Sequence, residues 1–446
     1  MTHKTLYQEV RAEQNIFSAW RHVKRSALSS KDVKIKSAAA EFEHQHQKYL
    51  RKIIIELRTE CFVFDKNIGV LKDKKKRERQ GKKPRPISIG TIRNRVVERA
   101  ILQILQPRKV TNPRDPYSKS EIKHDPRLGN LNDVSRSRFG VGGLMAPYGG
   151  VQPAIKLAMK AMGGGATDYY QSDIASFFTD IPVEPVLSII KQETKDEKLL
   201  KLISDALNIS LSNAGELGAD AALFPSNGVG VAQGSSLSAF AGNVLLFDLD
   251  HQINNLDVTA IRYIDDLLII SKSATSLKQA IKVAEEGLKA FGFSLYSPDK
   301  DPNKASKGKC ENGLNFLGCR IEPGKCVPTD KNITDLTKEI NSILKESKSA
   351  ISTFVKSSSL RPYSIDKGKA HGATIDKIGK KLYGWQKSFG FCTDPQSFKT
   401  VDRKIQKHIT EYDHWVRRKL KNQSKEAQMS ILGIPSTEHL FLNQSK

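Results

Sequence analysis

Apolar residues recur at helical spacing near both ends of the chain and gather into short strand-like runs between them. Ile16, Trp20 and Val23 share one helical face, and Phe42, Leu50, Ile53, Ile54 and Leu57 share another, so residues 1 to about 60 are expected to be helical. The β-branched run "RPISI" from Arg85 reads as a strand, and "TIRNRVVERAILQILQP" after it as a helix. Residues 111–135 are rich in Pro, Asn, Asp and Ser and read as a surface excursion. A Gly-rich turn, a helix from about Val151 and a Gly stop follow, then a strand over Tyr169–Ile174. Gly and Ser open another helix, which should pack through Leu237, Phe240, Val244 and Leu245. Beyond about residue 330 the pattern is helical and lysine-rich, with a short polar tail, and no internal repeat occurs.

One run breaks its own pattern. In "IRYIDDLLIIS", Ile261–Ser271, two adjacent aspartates, Asp265 and Asp266, interrupt residues that are otherwise apolar apart from Arg262. They could simply form the tip of a β-hairpin, where Asp is common. Alternatively the turn presents carboxylates to a divalent cation, since an uncompensated buried anion costs several kcal/mol.

Composition narrows the setting. The formal net charge is +24, from 72 Lys and Arg against 48 Asp and Glu, and an excess this large implies a polyanionic partner, nucleic acid first. Eight basic residues lie between Lys72 and Lys83, just ahead of the "RPISI" strand, where a pinned loop could grip phosphates rather than remain a solvated face. No apolar run is long enough to span a membrane, and the N-terminus lacks the apolar core of a signal peptide, so no membrane partner is expected. Cys310, Cys319 and Cys326 are close enough in sequence to suggest a metal, but no fourth ligand follows with zinc-like spacing. With Cys61 and Cys392 they read as free thiols of a reducing cytoplasm, the expected location.

A second acid changes the weight of the first two. "DYYQSDIASFFTDIP" places Asp173 near the end of a strand, 92 residues before Asp265. Carboxylates from separate strands can hold two metal ions about 4 Å apart, as nucleotidyl transfer requires. Mg²⁺ suits a few carboxylates plus water and phosphates, with Mn²⁺ as the alternative. The chain has neither a GxGxxG fingerprint nor a phosphate-loop lysine.

The ordered segments "KPRPISI…RNRVVERAIL", "SDIASFFTDIP", "AQGSSLSAFAGNVLL", "RYIDDLLII", "FGFSLYSPDK" and "NFLGC" resemble the reverse transcriptase family, with the nearest likeness to bacterial group II intron, retron and phage-defence lineages. The resemblance runs from about residue 15 to 420 and implies an α+β right-hand polymerase fold, with fingers, a palm built on an antiparallel sheet and a helical thumb. Its expected divisions are an N-terminal helical extension (1–70), fingers (71–165), a palm (166–330) with a fingers-like insertion near 185–225, and a thumb and tail (331–446).

By resemblance, Asp173 and Asp265 bind both Mg²⁺ ions, Asp266 assists, and Lys300 is the general acid for pyrophosphate departure. Lys83 and Arg85 clamp the triphosphate, and Ile174, Phe178, Gln233 and Gly234 line the nucleotide site. Phe178 is the sugar gate, although alternation along a continued strand would turn Phe177 to the site and Phe178 to the core. Phe316, Leu317 and Gly318 form the primer grip. The helix opened by Gly234 and Ser235 offers a small-residue platform for a base pair.

Departures from the family pattern occur at Ala232, at Ser236 and in "RFGVGGLMAPYGG", and they favour a divergent, defence-associated or retron-like enzyme over intron splicing. No RNase H, endonuclease or DNA-binding appendage is expected in the remaining length. The implied partners are an RNA template, which a dedicated noncoding RNA could supply, dNTPs and a DNA product, with an oligomer or an accessory protein as an open alternative. RNA polymerase or untemplated transferase activity is the second reading, and a catalytically idle RNA-binding scaffold the third.

Overall fold

Helical periodicity near the start of the chain becomes four helices, Leu6–Val10, Glu13–Leu28, Val33–His44 and His46–Arg58. Asp32 caps the third by accepting from the Lys34 and Ile35 amides. Their apolar faces, among them Ile16, Trp20, Leu50 and Ile53, are buried in one core with the helix Ile92–Leu105. That helix starts where Thr91 caps the Asn94 amide, directly after the expected strand. The computed structural model describes residues 4–30, 32–79, 83–110, 121–357, 365–435 and 437.

Strands β1 (Ile68–Lys72) and β2 (Arg85–Ile89) pair antiparallel, and between them the described part of the basic run forms a short exposed helix, Lys74–Glu78. Short strands β3 (Arg108–Val110) and β4 (Glu121–Lys123) also pair. The surface excursion expected over 111–135 is corrected in its second half. Leu128, Leu131 and Val134 are buried in the main core, on a turn of 3₁₀ helix and a short α-helix, while 111–120 lie outside the described residues. Turn-forming residues also cap short helices, as Asp125 does by accepting from the Arg127 amide, so composition alone could not separate the two cases.

At the centre lies an antiparallel sheet of β5 (Asp168–Asp173), β6 (Val258–Tyr263), β7 (Asp266–Ser271) and β8 (Ala305–Lys309), in the order β6-β7-β5-β8. The helix Ser236–Asn254 buries Leu237, Phe240, Val244 and Leu245 as expected, and its apolar residues point all round, the pattern of a helix enclosed on every side. Residues 185–225, the expected insertion, return to β1: Asn213 Oδ1 accepts from the Gly69 amide at 2.8 Å, and Asn213 Nδ2 donates to the Gly69 carbonyl at 2.9 Å. The architecture is α+β.

The chain divides into two compact units, Met1–Cys310 and Glu311–Lys446. The second contains a three-stranded antiparallel sheet, β9 (Leu314–Phe316), β10 (Cys319–Glu322) and β11 (Lys325–Pro328), in the order β11-β10-β9. Helices Asp330–Ser357, His371–Phe389, Pro395–Leu420 and Lys425–Leu432 follow, around a core that includes Leu336, Ile340, Ile351, Ile405 and Tyr412. The strands of this small sheet, among the described residues, pair with one another in the order given. Among the described residues, no helix is long and apolar enough to cross a membrane.

Candidate active site

Strands β6 and β7 form a hairpin whose register pairs Tyr263 with Asp266, leaving Ile264 and Asp265 as a two-residue turn. The same ladder pairs Asp173 of β5 with Asp266 of β7, so the carboxylates meet at one end of two adjacent strands. The Ile174 amide donates to the Asp265 carbonyl at 2.6 Å and fixes the turn against β5. The aspartate pair is therefore a hairpin tip, as one reading expected, and it faces a third acid.

The turn is strained. Ile264 has φ +63°, costly for a β-branched residue and normally left to Gly at the first central position of such hairpins. Arg262 holds it there. Its guanidinium is 2% exposed, donates to both Asp250 oxygens (Nε at 2.9 Å, Nη2 at 2.6 Å), and reaches the Ile264 carbonyl through Nη1 at 3.2 Å. Burial pushes the Asp250 carboxyl up, against the pull of Arg262. Asn243 accepts from the same Nη1 and donates to the Gly142 carbonyl at 2.7 Å. Gly142 allows this close approach, since a Cβ there would lie 2.4 Å from the Ile264 nitrogen. The divergent "RFGVGG" stretch thus lies along β6, with the Val141 amide donating to the Arg262 carbonyl at 2.9 Å. Arg262 stands out in the sequence among apolar neighbours, but its partner Asp250, 12 residues earlier, does not.

Three anions in one place leave an electrostatic mark. Burial, a hydrogen bond with Asp173 and repulsion from Asp173 and Asp265 push the Asp266 carboxyl up to about 7. Asp265 is raised as well, mainly by burial, while Lys304 and Arg85 pull it down. The Lys304 ammonium pairs with Asp173 and lies 5.8 Å from the centre of the Tyr296 ring. Register explains this, since the Asp173 amide donates to the Lys304 carbonyl at 2.9 Å as β8 begins. Lys300, the expected general acid, instead sits exposed on a turn, its amide donating to the Ser297 carbonyl at 3.1 Å. Lys304 is paired with Asp173 of the carboxylates, and no motif in the sequence marks it. The donor set fits a hard divalent cation: oxygen ligands, partly exposed, with a carboxyl held near neutrality by excess negative charge. Among the described residues, however, the three aspartates do not bring even one oxygen each within 4.8 Å of one another.

The remaining expected residues divide. Lys83 and Arg85 are exposed; the charge of Arg85 acts on Asp265, and that of Lys83 on Asp180. Phe177 is the core residue of its pair: its ring occupies the space beside Gly242 and packs against Phe293 at 5.4 Å between centroids. Phe178 remains part-exposed. Both lie on a one-turn helix, Phe177–Asp180, so strand alternation does not apply. The Phe178 carbonyl accepts from the Val231 amide at 2.7 Å, which draws the loop carrying Gln233 and Gly234 over this turn. Gln233 is part-exposed and Gly234 exposed just ahead of Ser235, the helix cap, whose hydroxyl donates to the buried Glu98 carboxylate at 2.8 Å. Of the small-residue platform, Gly242 is filled by the Phe177 ring. Ile174 is buried and its amide is committed to Asp265, so it supports the turn.

In the second unit, Leu317 and Gly318 make the β9–β10 turn with φ +48° and +81°, Phe316 is buried, and the Gly318 carbonyl accepts from Asn332 Nδ2 at 2.7 Å.

Residues 73–321, more than half of the chain, match the family described as "Reverse transcriptase (RNA-dependent DNA polymerase)". The chain belongs to this family. Reverse transcriptases are nucleotidyltransferases dependent on divalent metal and built on a right-hand polymerase fold. An "Uncharacterized 91 kDa protein in cob intron" of Schizosaccharomyces pombe is 25% identical over 205 residues, covering 46% of this chain and 21% of that protein. This reverse transcriptase chain thus spans about a fifth of that relative's length. Among solved structures, a "Partial Cas6-RT-Cas1--Cas2 complex" chain matches at 17% identity and TM-score 0.35, over 64% of this chain and 43% of that one. Apo telomerase from Candida tropicalis matches at 12% identity and TM-score 0.41, over 83% and 62%. Likenesses this loose carry no part of the assignment.

Proposed function

We propose that this chain copies RNA into DNA, joining dNTPs by two-metal phosphoryl transfer. The observation that carries the reading is the register of β5 with β7, which sets Asp173 opposite Asp266 beside the Asp265 turn. Asp173 and Asp265 would hold two Mg²⁺ ions, which Mn²⁺ could replace, with Asp266 assisting. When bound, the ions supply positive charge at the attacking and leaving oxygens. Arg85 and Lys83 bind the triphosphate, a role that suits exposed cations whose fields reach Asp265 and Asp180. Phe178 lies under the sugar, Gln233 and Gly234 border the base, and the Leu317–Gly318 turn holds the primer end. Lys304 neutralises Asp173 between turnovers, and Lys300 protonates the departing pyrophosphate.

In this scheme the fingers comprise residues 71–165 together with the 185–225 insertion, which Asn213 ties to β1. The palm begins at 166. The thumb takes in β9–β11, since the compact unit begins at Glu311. We place the enzyme in the cytoplasm of a bacterial defence or retroelement system, with a dedicated noncoding RNA as template and room for an accessory protein or a second copy.

One assay tests the core of this reading: purified protein with Mg²⁺ and labelled dNTPs or rNTPs, with and without added RNA. Incorporation of dNTPs that requires both Mg²⁺ and RNA is the expected result. A preference for rNTPs, addition without RNA, or no incorporation by folded protein would each overturn it.

A further inference from the structure

Five cysteines with no CxxC pair and an odd count read as free thiols, although Cys310, Cys319 and Cys326 lie close enough in sequence to suggest a metal. The fold assembles three of them. The Sγ atoms of Cys319, Cys326 and Cys392 all lie within 4.8 Å of one another, and those of Cys326 and Cys392 are 3.8 Å apart. Cys310, grouped with Cys319 and Cys326 by sequence proximity, falls outside the cluster, and Cys392 replaces it from 66 residues beyond Cys326.

Each ligand is positioned by backbone. The β10–β11 register pairs Cys319 with Pro328 and Ile321 with Cys326, so both thiols occupy diagonal positions on one face of the hairpin. Both are fully buried. Cys392 comes from the turn that ends the helix His371–Phe389, where its amide donates to the Phe389 carbonyl at 2.9 Å. The next residue stitches that turn to β11. The Thr393 amide donates to the Cys326 carbonyl at 2.9 Å, and the Cys326 amide donates to Thr393 Oγ1 at 2.9 Å. Lys325 and Asp394 form an ion pair at 3.3 Å alongside.

The spacing decides among the chemistries. A disulfide needs its sulfurs at about 2.05 Å. Thiolates around a tetrahedral zinc at about 2.3 Å lie about 3.8 Å apart, the observed separation of Cys326 and Cys392. Three sulfurs converging on one point from a β-hairpin and a helix–helix turn resemble a ligand set more than apolar packing, which has no reason to align Sγ atoms. We propose that Cys319, Cys326 and Cys392 bind one Zn²⁺ ion, with water entering on the half-buried Cys392 side as the fourth donor. The ion cross-links the β9–β11 sheet, with its Leu317–Gly318 turn, to the turn between helices His371–Phe389 and Pro395–Leu420.

The test uses the full chain, reduced and stripped with chelator, titrated with Co²⁺ as spectroscopic probe. One equivalent should produce a thiolate-to-cobalt charge-transfer band that one equivalent of Zn²⁺ abolishes. Carboxylate ligands in the palm give no such band. Zn²⁺ should also shield Cys319, Cys326 and Cys392, but not the exposed Cys61, from alkylation of the wild-type chain. Cys392→Ser should lower Zn²⁺ affinity at least 100-fold, and Cys61→Ser should leave it unchanged. A folded wild-type chain without the band, a band that survives in Cys392→Ser, or a disulfide between any two of the three in protein isolated without reductant would overturn the proposal.

Discussion

The palm aspartates and the cysteines of the second unit are both sets of three like side chains drawn together by strand register, and they differ in how a protein can tolerate them. Hydrogen bonds from Cys319 and Cys392 lower the Cys326 thiol to about 4, while the same contact and burial push Cys319 up, so the buried cluster carries a single negative charge that its other thiols solvate before any metal arrives. A carboxyl at neutral pH must stay charged, be compensated or shift its pKa. All three happen in the palm: the aspartates remain partly exposed, Lys304 pairs with Asp173, and Asp266 is pushed up to about 7. The scaffolds differ accordingly. Strand register and two unstrained hydrogen bonds to Thr393 place Cys326, whereas the aspartate turn needs a left-handed isoleucine braced by a buried Arg262–Asp250 pair. The lesson is that the strained, highly supported geometry lies where charge must be held open to substrate.

Breaking the palm set should have the largest effect. Asp265→Ala with Asp266→Ala should lower dNTP incorporation by at least about 10⁴-fold, roughly 5 kcal/mol of transition-state stabilisation, while circular dichroism shows the fold retained. A double variant working at a tenth of the wild-type rate would remove these residues from the active site. Next comes the brace. Asp250→Ala strands the Arg262 guanidinium in the core and should cost about 3–5 kcal/mol in denaturant unfolding. The paired change Asp250→Leu with Arg262→Met should restore most of that stability but not activity, because the bond to the Ile264 carbonyl is gone. Full activity in the pair would mean the brace is only structural.

The contrast between thiols that hydrogen-bond one another and carboxyls that repel can be sharpened by pH. A carboxyl raised on folding favours the native state while protonated, so metal-free wild-type protein should lose stability as pH climbs from about 4 to about 7. Asp266→Asn is free of that penalty. Its advantage in melting temperature over wild type, measured in EDTA, should widen between pH 5 and pH 8. A constant gap would show that Asp266 titrates normally.

The smallest expected effect concerns Phe178. Phe178→Val should raise incorporation of rNTPs relative to dNTPs about tenfold, or 1.4 kcal/mol in differential transition-state binding, with little change in melting temperature. Phe177→Ala, by contrast, should cost about 3–5 kcal/mol of stability, as expected for a fully buried ring. An unchanged sugar preference in folded Phe178→Val would take the gate away from this residue.

Much of this protein was determined by its sequence alone, wherever the governing interaction is local. Strand β2, the helices Ile92–Leu105, Val151–Gly163 and Ser236–Asn254, and the aspartate hairpin follow from periodicity, caps and turns within a few residues of one another. Asp265 and Asp266 declared themselves because adjacent charges in an apolar run are visible without a fold. Tertiary structure decided what depends on register or on returning chain. It set Lys304 against Asp173 because β8 pairs beside β5, and put Phe177 in the core because the chain turns into helix after Asp173. It buried Leu128, Leu131 and Val134 beneath a segment whose composition reads as loop. It also found Asp250 for Arg262 and Cys392 for Cys319 and Cys326, because ion pairs and ligand sets form between residues close in space, and only the folded chain brings those positions within reach.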